Sequence, residues 1–247
     1  MRIEYTYQNL NYVQEEKCPI CGSDKFDYFS QVSSQPFFVN EVNGMRFLCA
    51  SLSTYWKCEK CEVVFQSPHM KQEDLDKYYS SGLYLTTIGV TTNNIMEDEI
   101  KRSRRNIEFL INNNVKPKDV LDVGAAHGVL LDLMKEKLEC EGEGYDLHGE
   151  FASGDSLSRT HELVSAIHIL EHYVDPLAAL KWYRTLTSKW LLLEVPKCRG
   201  KEETKGLRFP HLFVFPYPTL KKMLEDTGFR VLAMEVNPDT RILAEVV

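Results

Sequence analysis

The sequence predicts an α/β protein: a Rossmann-like sheet with its helices, preceded by a small cysteine-bearing module. Three observations carry this. Residues 118–138 (KDVLDVGAAHGVLLDLMKEKL) read as strand, glycine turn and helix. Apolar strand-like runs and helical stretches alternate from there to the C-terminal end. Two Cys-x-x-Cys pairs, Cys18/Cys21 and Cys58/Cys61, bracket an aromatic segment near the start.

The chain of 247 residues is 43% hydrophobic and 26% charged, a globular composition with room for one large domain and a small one. A net charge of −7 without a long basic run argues against non-specific nucleic-acid binding. No apolar run has the length of a membrane span, and MRIEYTYQNL does not read as a signal peptide, so a cytoplasmic protein without a membrane partner is expected. Seven cysteines form an awkward disulfide set, whereas in a reducing compartment paired Cys-x-x-Cys units suggest metal.

In chain order, Cys18-Pro19-Ile20-Cys21-Gly22 and Cys58-Glu59-Lys60-Cys61 are two knuckles. Each sets two thiolates at the separation a tetrahedral Zn²⁺ needs, and together they make a closed four-sulfur site with no open position for catalysis. The alternative is four reduced thiols. Phe26, Tyr28 and Phe29, then Phe37, Phe38 and Val39, then Tyr55 and Trp56, fit hairpins between the knuckles. Cys49 stands outside both pairs and reads as a packed thiol. Val63 to Phe65 reads as a last ribbon strand, and Lys71 to Tyr79 as a short helix. The threonine- and asparagine-rich residues 81–94 read as a linker or flap. The expected division is therefore a zinc-binding domain at 1–80, this linker at 81–94, and the α/β domain at 95–247.

Residues 95–113 predict a helix with Ile100, Ile107, Leu110 and Ile111 on one face. Lys101, Arg102, Arg104 and Arg105 read as a solvated face, with steering of an anionic ligand as the alternative. Val120, Leu121 and Val123 form a buried strand that ends at Gly124-Ala125-Ala126-His127-Gly128, and Leu130, Leu131, Met134 and Leu138 recur at helical spacing after it. Small residues there let backbone N–H groups approach a ligand at the helix start. The dinucleotide fingerprint G-x-G-x-x-G fails, because Ala126 and Val129 hold its second and third glycine positions.

Residues 139–146 predict a second strand ending at Asp146, an acid placed to accept hydrogen bonds from both hydroxyls of a ribose; Glu143 is the competing acid. Residues 147–161, with Gly149 and Gly154, do not support a full helix and strand, so a shortened third-strand region is expected. Leu163 to Ile167 reads as a buried strand leading to His168, Leu170, Glu171 and His172. Asp175-Pro176 opens a helix with Leu177, Leu180 and Tyr183 on one side. Residues 190–195 (WLLLEV) form a strand, 197–209 a loop, and Leu220, Met223, Leu224 and Thr227 a helix face closed by Gly228. Phe229 to Val236 and Thr240 to Val247 predict an antiparallel strand pair.

With Asp122 ahead of the first glycine, the turn resembles motif I, D-x-G-x-x-x-G, of the class I S-adenosylmethionine-dependent methyltransferases. The order CxxC, CxxC, V-F-x-x-P, K-Y-Y-S-S-G-L-Y, together with Gln35-Pro36 and the P-H-L-F…L…M-L…G-F stretch from Pro210 to Phe229, resembles bacterial members with an N-terminal zinc-binding domain. Among these are deoxysugar C-methyltransferases and relatives associated with capsule or O-antigen genes. The resemblance covers nearly the whole chain. It implies a Rossmann-like methyltransferase sheet and cofactor contacts from Asp122, Gly124, Ala125, Ala126 and Gly128, from Asp146 and Leu147, from Asp155 and Ser156, and from Ile167 and His168.

The resemblance also implies a small polar acceptor, a nucleotide-linked sugar among the candidates, in sugar biosynthesis. His211, His172 and Tyr84 are the candidate bases. For each histidine a polar residue bonded to backbone is the other reading. Phe209-Pro210-His211 lacks the middle carboxylate of the family's H-E-H segment, and the further C-terminal domain frequent in that family has no counterpart here. Both departures weigh against C-methylation. A non-catalytic protein that binds a partner through its zinc domain is the reading from a different class.

Overall fold

The computed structural model describes residues 2–7, 10–33, 40–42, 45–47, 52–80, 92–147, 151, 155–197 and 207–247. In chain order the elements are β1 (Arg2–Tyr7), β2 (Leu10–Glu15), β3 (Phe26–Ser33), β4 (Asn40–Val42), β5 (Met45–Phe47), β6 (Leu52–Cys58), β7 (Val64–Gln66), β8 (His69–Met70) and α1 (Gln72–Ser80). Then come α2 (Thr92–Asn112), β9 (Asp119–Val123), α3 (Val129–Leu138), β10 (Glu141–Tyr145), β11 (His161–Ile167), α4 (Pro176–Leu186) and β12 (Thr187–Val195). The last are β13 (Phe213–Val214), α5 (Tyr217–Asp226), β14 (Phe229–Val236) and β15 (Thr240–Val246). Among the described residues, no helix is long and apolar enough to cross a membrane.

The chain divides into two compact units, neither of them contiguous. One holds residues 1–89, 171–176 and 196–220; the other holds 90–170, 177–195 and 221–247.

The second unit is a mixed α/β structure around a six-stranded sheet of order β10-β9-β11-β12-β15-β14. β10, β9, β11 and β12 are parallel, while β15 runs antiparallel to both β12 and β14. This is a Rossmann-like, mostly parallel α/β sheet. Parallel central strands are covered on both faces, which is why Leu191, Leu192 and Leu193 form an unbroken buried run. On one face, Val120, Leu163, Leu192 and Leu243 pack with Ile107 and Leu110 of α2 and Leu130, Met134 and Leu138 of α3. Ile111, expected on that face, is 50% exposed. The helix turns its stripe through Phe109 and Leu110 instead, both buried. Between β10 and β11 the described residues contain a short 3₁₀ turn at Asp155–Ser158.

The first unit is built on the antiparallel sheet β13-β7-β6-β3, beside the three-stranded sheet β1-β2-β8 and the β4–β5 hairpin. Phe29, Tyr55, Val64, Leu207 and Val214 form its apolar cluster. Phe26 meets Trp56 and Phe65 edge to face, at centroid distances of 5.6 and 5.3 Å. β13 comes from beyond residue 200 and pairs Phe213 with Phe65.

Candidate functional site

The glycine turn joins β9 to α3 through three residues with left-handed backbones, Gly124 (φ 81), Ala126 (φ 46) and Gly128 (φ 72). Glycine suits the first and last because a Cβ would be strained there and would also meet Ile169 Cδ1 at 3.2 Å and Phe151 Cζ at 3.1 Å. The Gly124 and Ala125 N–H groups donate to Tyr145 O, at 2.7 and 3.2 Å, and so tie the turn to the end of β10. Asp146 follows immediately, and its Oδ2 accepts from Ala126 N–H at 2.9 Å. The turn and Asp146 therefore form one piece at the C-terminal ends of adjacent parallel strands, where open α/β sheets take their ligands. Glu143, the competing acid, instead accepts from Arg159 Nε at 3.0 Å.

Asp122 is 5% exposed and accepts from Ser165 Oγ on β11 at 2.6 Å. Burial pushes its carboxyl up to about 7; the Ser165 bond opposes the rise, and the charges of Asp146 and Glu99 add to it. A buried carboxylate beside a backbone cradle suits a ligand that brings a cationic amino or sulfonium group. His127, in the turn, meets Glu99 through Nδ1 at 3.0 Å. Leu147 is 41% exposed. Ser156 is buried and donates to Gly144 O at 3.0 Å. Asp155 begins the 3₁₀ turn, its side chain lying outside the described residues.

His168 follows Ile167, the last residue of β11, with a left-handed backbone (φ 54). Its N–H donates to Glu194 O at 2.8 Å, and its Nε2 lies 3.2 Å from Glu194 Oε1 and 3.4 Å from Asp239 Oδ2. Glu194, fully buried, also accepts from Arg241 Nε at 2.8 Å, and the same guanidinium reaches Asn106 and Glu235. Burial opposes ionisation of Glu194, but His168 and Arg241 hold its carboxyl below the usual range. Sequence reading missed this network, although a lone Glu inside WLLLEV and an Arg opening the last strand were its visible signals.

In the first unit, the Cys18 and Cys61 sulfurs lie 3.6 Å apart and those of Cys21 and Cys58 3.5 Å apart. All four fall within 4.8 Å of one another. Tetrahedral Zn–S bonds of about 2.3 Å imply sulfurs about 3.8 Å apart, close to this arrangement. The knuckles repeat one geometry. Cys18 N–H donates to Ser23 O and Gly22 N–H to Cys18 O; Cys58 N–H donates to Val63 O and Glu62 N–H to Cys58 O. Gly22 and Glu62 take matching left-handed backbones.

The same unit brings together Glu171, His172 and His211, each offering an atom within 4.8 Å of the others. Glu171 is fully buried and His211 is 3% exposed. Tyr79 Oη meets His172 Nδ1 at 2.7 Å, and the two imidazole rings meet edge to face at 4.8 Å. Sequence reading placed His172 and His211 separately and left Glu171 without a role. Tyr84, the third candidate base, lies outside the described residues, as do Cys49 and Gln35-Pro36.

A family model described as a methyltransferase domain matches residues 95–234. Among solved structures, the magnesium protoporphyrin IX methyltransferase of Synechocystis PCC 6803 with bound SAH is 15% identical, with TM-score 0.55, covering 72% of this chain and 100% of that one. The same enzyme with bound SAM gives 14% identity and TM-score 0.52, covering 71% and 96%. At these identities the likeness is one of fold. The search of curated proteins finds no match.

Proposed function

Since the chain belongs to the methyltransferase-domain family, matched over residues 95–234, we propose that it transfers the methyl group of S-adenosylmethionine to a small polar acceptor, with nucleotide-linked sugars first among the classes to screen. The observation that carries the reading is the Asp146–Ala126 contact, which joins the glycine turn and the candidate ribose acid into one cradle. Gly124 to Gly128 would lie against the cofactor, Asp146 and Leu147 would take its ribose end, and Asp122 would face its charged groups. Ser156 and His168 are engaged with Gly144 and Glu194, so they would line the site by position rather than by a dedicated hydrogen bond.

The cofactor supplies an activated methyl group, so the protein's work is alignment and, for a carbon or hydroxyl acceptor, removal of a proton. His211, His172 and Tyr84 are the proposed proton acceptors. Cys18, Cys21, Cys58 and Cys61 are proposed to hold one structural zinc in a module over residues 1–80, ahead of the 81–94 linker and the methyltransferase domain of 95–247, of which 171–176 and 196–220 group with the module. Reduced thiols fit a cytoplasmic setting.

The test has two stages. Calorimetry with S-adenosylmethionine should give stoichiometric binding; folded protein that binds none would favour the non-catalytic, partner-binding reading. Labelled S-adenosylmethionine offered with nucleotide sugars, then with other small hydroxylated acceptors, should show which class takes up label.

A further inference from the structure

The Phe209-Pro210-His211 segment lacks a carboxylate, yet a carboxylate stands beside His211. Glu171 is fully buried, and its oxygen, a nitrogen of His172 and a nitrogen of His211 lie within 4.8 Å of one another. We propose that Glu171, His172 and His211 form one proton-accepting unit, in which Glu171 supplies the negative charge that the segment around His211 does not.

The anchoring of the three residues supports this division of labour. His172 is fixed through its ring, with Nδ1 2.7 Å from Tyr79 Oη and Nε2 3.8 Å from Glu171 Oε1. Glu171 is fixed through its main chain, its carbonyl accepting from Leu212 N–H at 2.8 Å. His211 is also fixed through its main chain, with its N–H donating to Arg208 O at 2.7 Å and its carbonyl accepting from Tyr55 Oη at 2.7 Å. Two backbone contacts therefore hold residues 211 and 212 against Glu171 and Tyr55, and the His211 ring packs edge-on to His172. Titratable groups around the unit include Tyr79 and Tyr78 of α1, Tyr55 of β6 and Arg208.

A buried carboxylate has a cost unless a positive partner accompanies it, and an imidazole that takes a proton becomes that partner. Resting on the methyl-transfer reading, the step balances as follows. The acceptor's O–H or C–H bond breaks and its proton passes to the His211 ring. The acceptor's electron pair forms the bond to the methyl carbon, and the S–CH₃ pair stays on sulfur. The imidazolium charge is offset by Glu171. His172 and Tyr79 are positioning residues that hold the carboxylate and the second ring in register.

The test reads protonation and needs no acceptor. Full-length protein with isotope-labelled histidine is titrated by NMR as wild type, Glu171→Gln and Glu171→Asp. A carboxylate at this range favours the charged imidazole. Removing it should lower the His211 and His172 midpoints by about one pH unit or more. Glu171→Asp, which keeps the charge but withdraws it by a methylene, should give a smaller fall of the same sign and cover the case in which Glu171→Gln does not fold. Midpoints unchanged in both variants would overturn the proposal. So would Mn²⁺ alone, added at stoichiometric level, broadening both histidine signals in wild type but not in Glu171→Gln, because the cluster would then be a cation site. Affinity for S-adenosylmethionine, measured on the same samples, should be the same in all three. Wild type that binds none would sink the methyl-transfer reading, while the titration would still decide the role of Glu171.

Discussion

Asp146 Oδ2 accepts a hydrogen bond from Ala126 N–H at 2.9 Å, which makes the acid after β10 a brace for the turn before α3. One carboxylate thus has two proposed tasks, holding the turn's shape and receiving ribose hydroxyls. Replacing Asp146 with Ala should weaken S-adenosylmethionine binding by about 1.5–3 kcal/mol for each charge-assisted hydrogen bond lost. Titration calorimetry checks this. A parental dissociation constant in the variant would move the ribose contact elsewhere.

Asp122 makes stability pH-dependent. Its folded carboxyl titrates at about 7, above the unfolded value of about 3.9. Between those values the unfolded chain has released its proton while the folded chain keeps it. The contribution is therefore fully present below about pH 4 and is lost as pH rises toward 7, at about 1.4 kcal/mol per unit. Urea unfolding from pH 5 to 8 should show this decline, and Asp122→Asn should flatten it. A variant that keeps the parental slope would locate the titrating group elsewhere.

If the proposed zinc sits among the four sulfurs, the knuckles should depend on a cation. Elemental analysis should find one zinc per chain. A strong chelator should lower the thermal midpoint, because metal binding and folding are coupled in such modules. Cys58→Ser, at a fully buried proposed ligand, should do the same without chelator. Metal-free protein with an unchanged melting curve would remove zinc from the account.

Gly144 is a steric prediction. A Cβ there would lie 2.5 Å from Phe151 Cδ1, too close for any side-chain carbon. Gly144→Ala should therefore cost about 1–3 kcal/mol, the usual range for overpacking. Gly144→Ala combined with Phe151→Ala should recover part of that loss. A double-mutant cycle without coupling would mean that the ring and the glycine are energetically independent.

The α/β sheet was legible because its signals are local. Periodicity located β9, α3, β11, α4, β14 and β15 to within a few residues. β12 begins at Thr187, ahead of its apolar run, because Thr187 pairs with His161 across the sheet. Long-range pairing was less legible. Nothing around Phe213 announces a partner at Phe65. Nor did the run VQEE announce that Glu15 would be buried 3.2 Å from His69. The turn's backbone conformation could be read from glycine spacing, whereas Glu171 was named without a role because the one proposed for it depends on His211, forty residues away in the chain. Ser165 had a visible signal, a lone hydroxyl inside the apolar run of β11, but its partner Asp122 lies on the neighbouring strand.

β15 enters the sheet between β12 and β14, although it is made after both. During synthesis, then, the row of backbone N–H and C=O groups along Trp190 to Val195 has no strand to meet until residues 240–246 emerge from the ribosome. At 5–20 residues per second, a general elongation rate, that interval is about two to ten seconds. For that time a strand with an unbroken leucine run, Leu191 to Leu193, presents an open edge, a template for pairing with other nascent chains. β15, made after β14, is therefore the strand that joins β14 to β12. Early termination inside it would yield aggregation rather than a smaller, working enzyme.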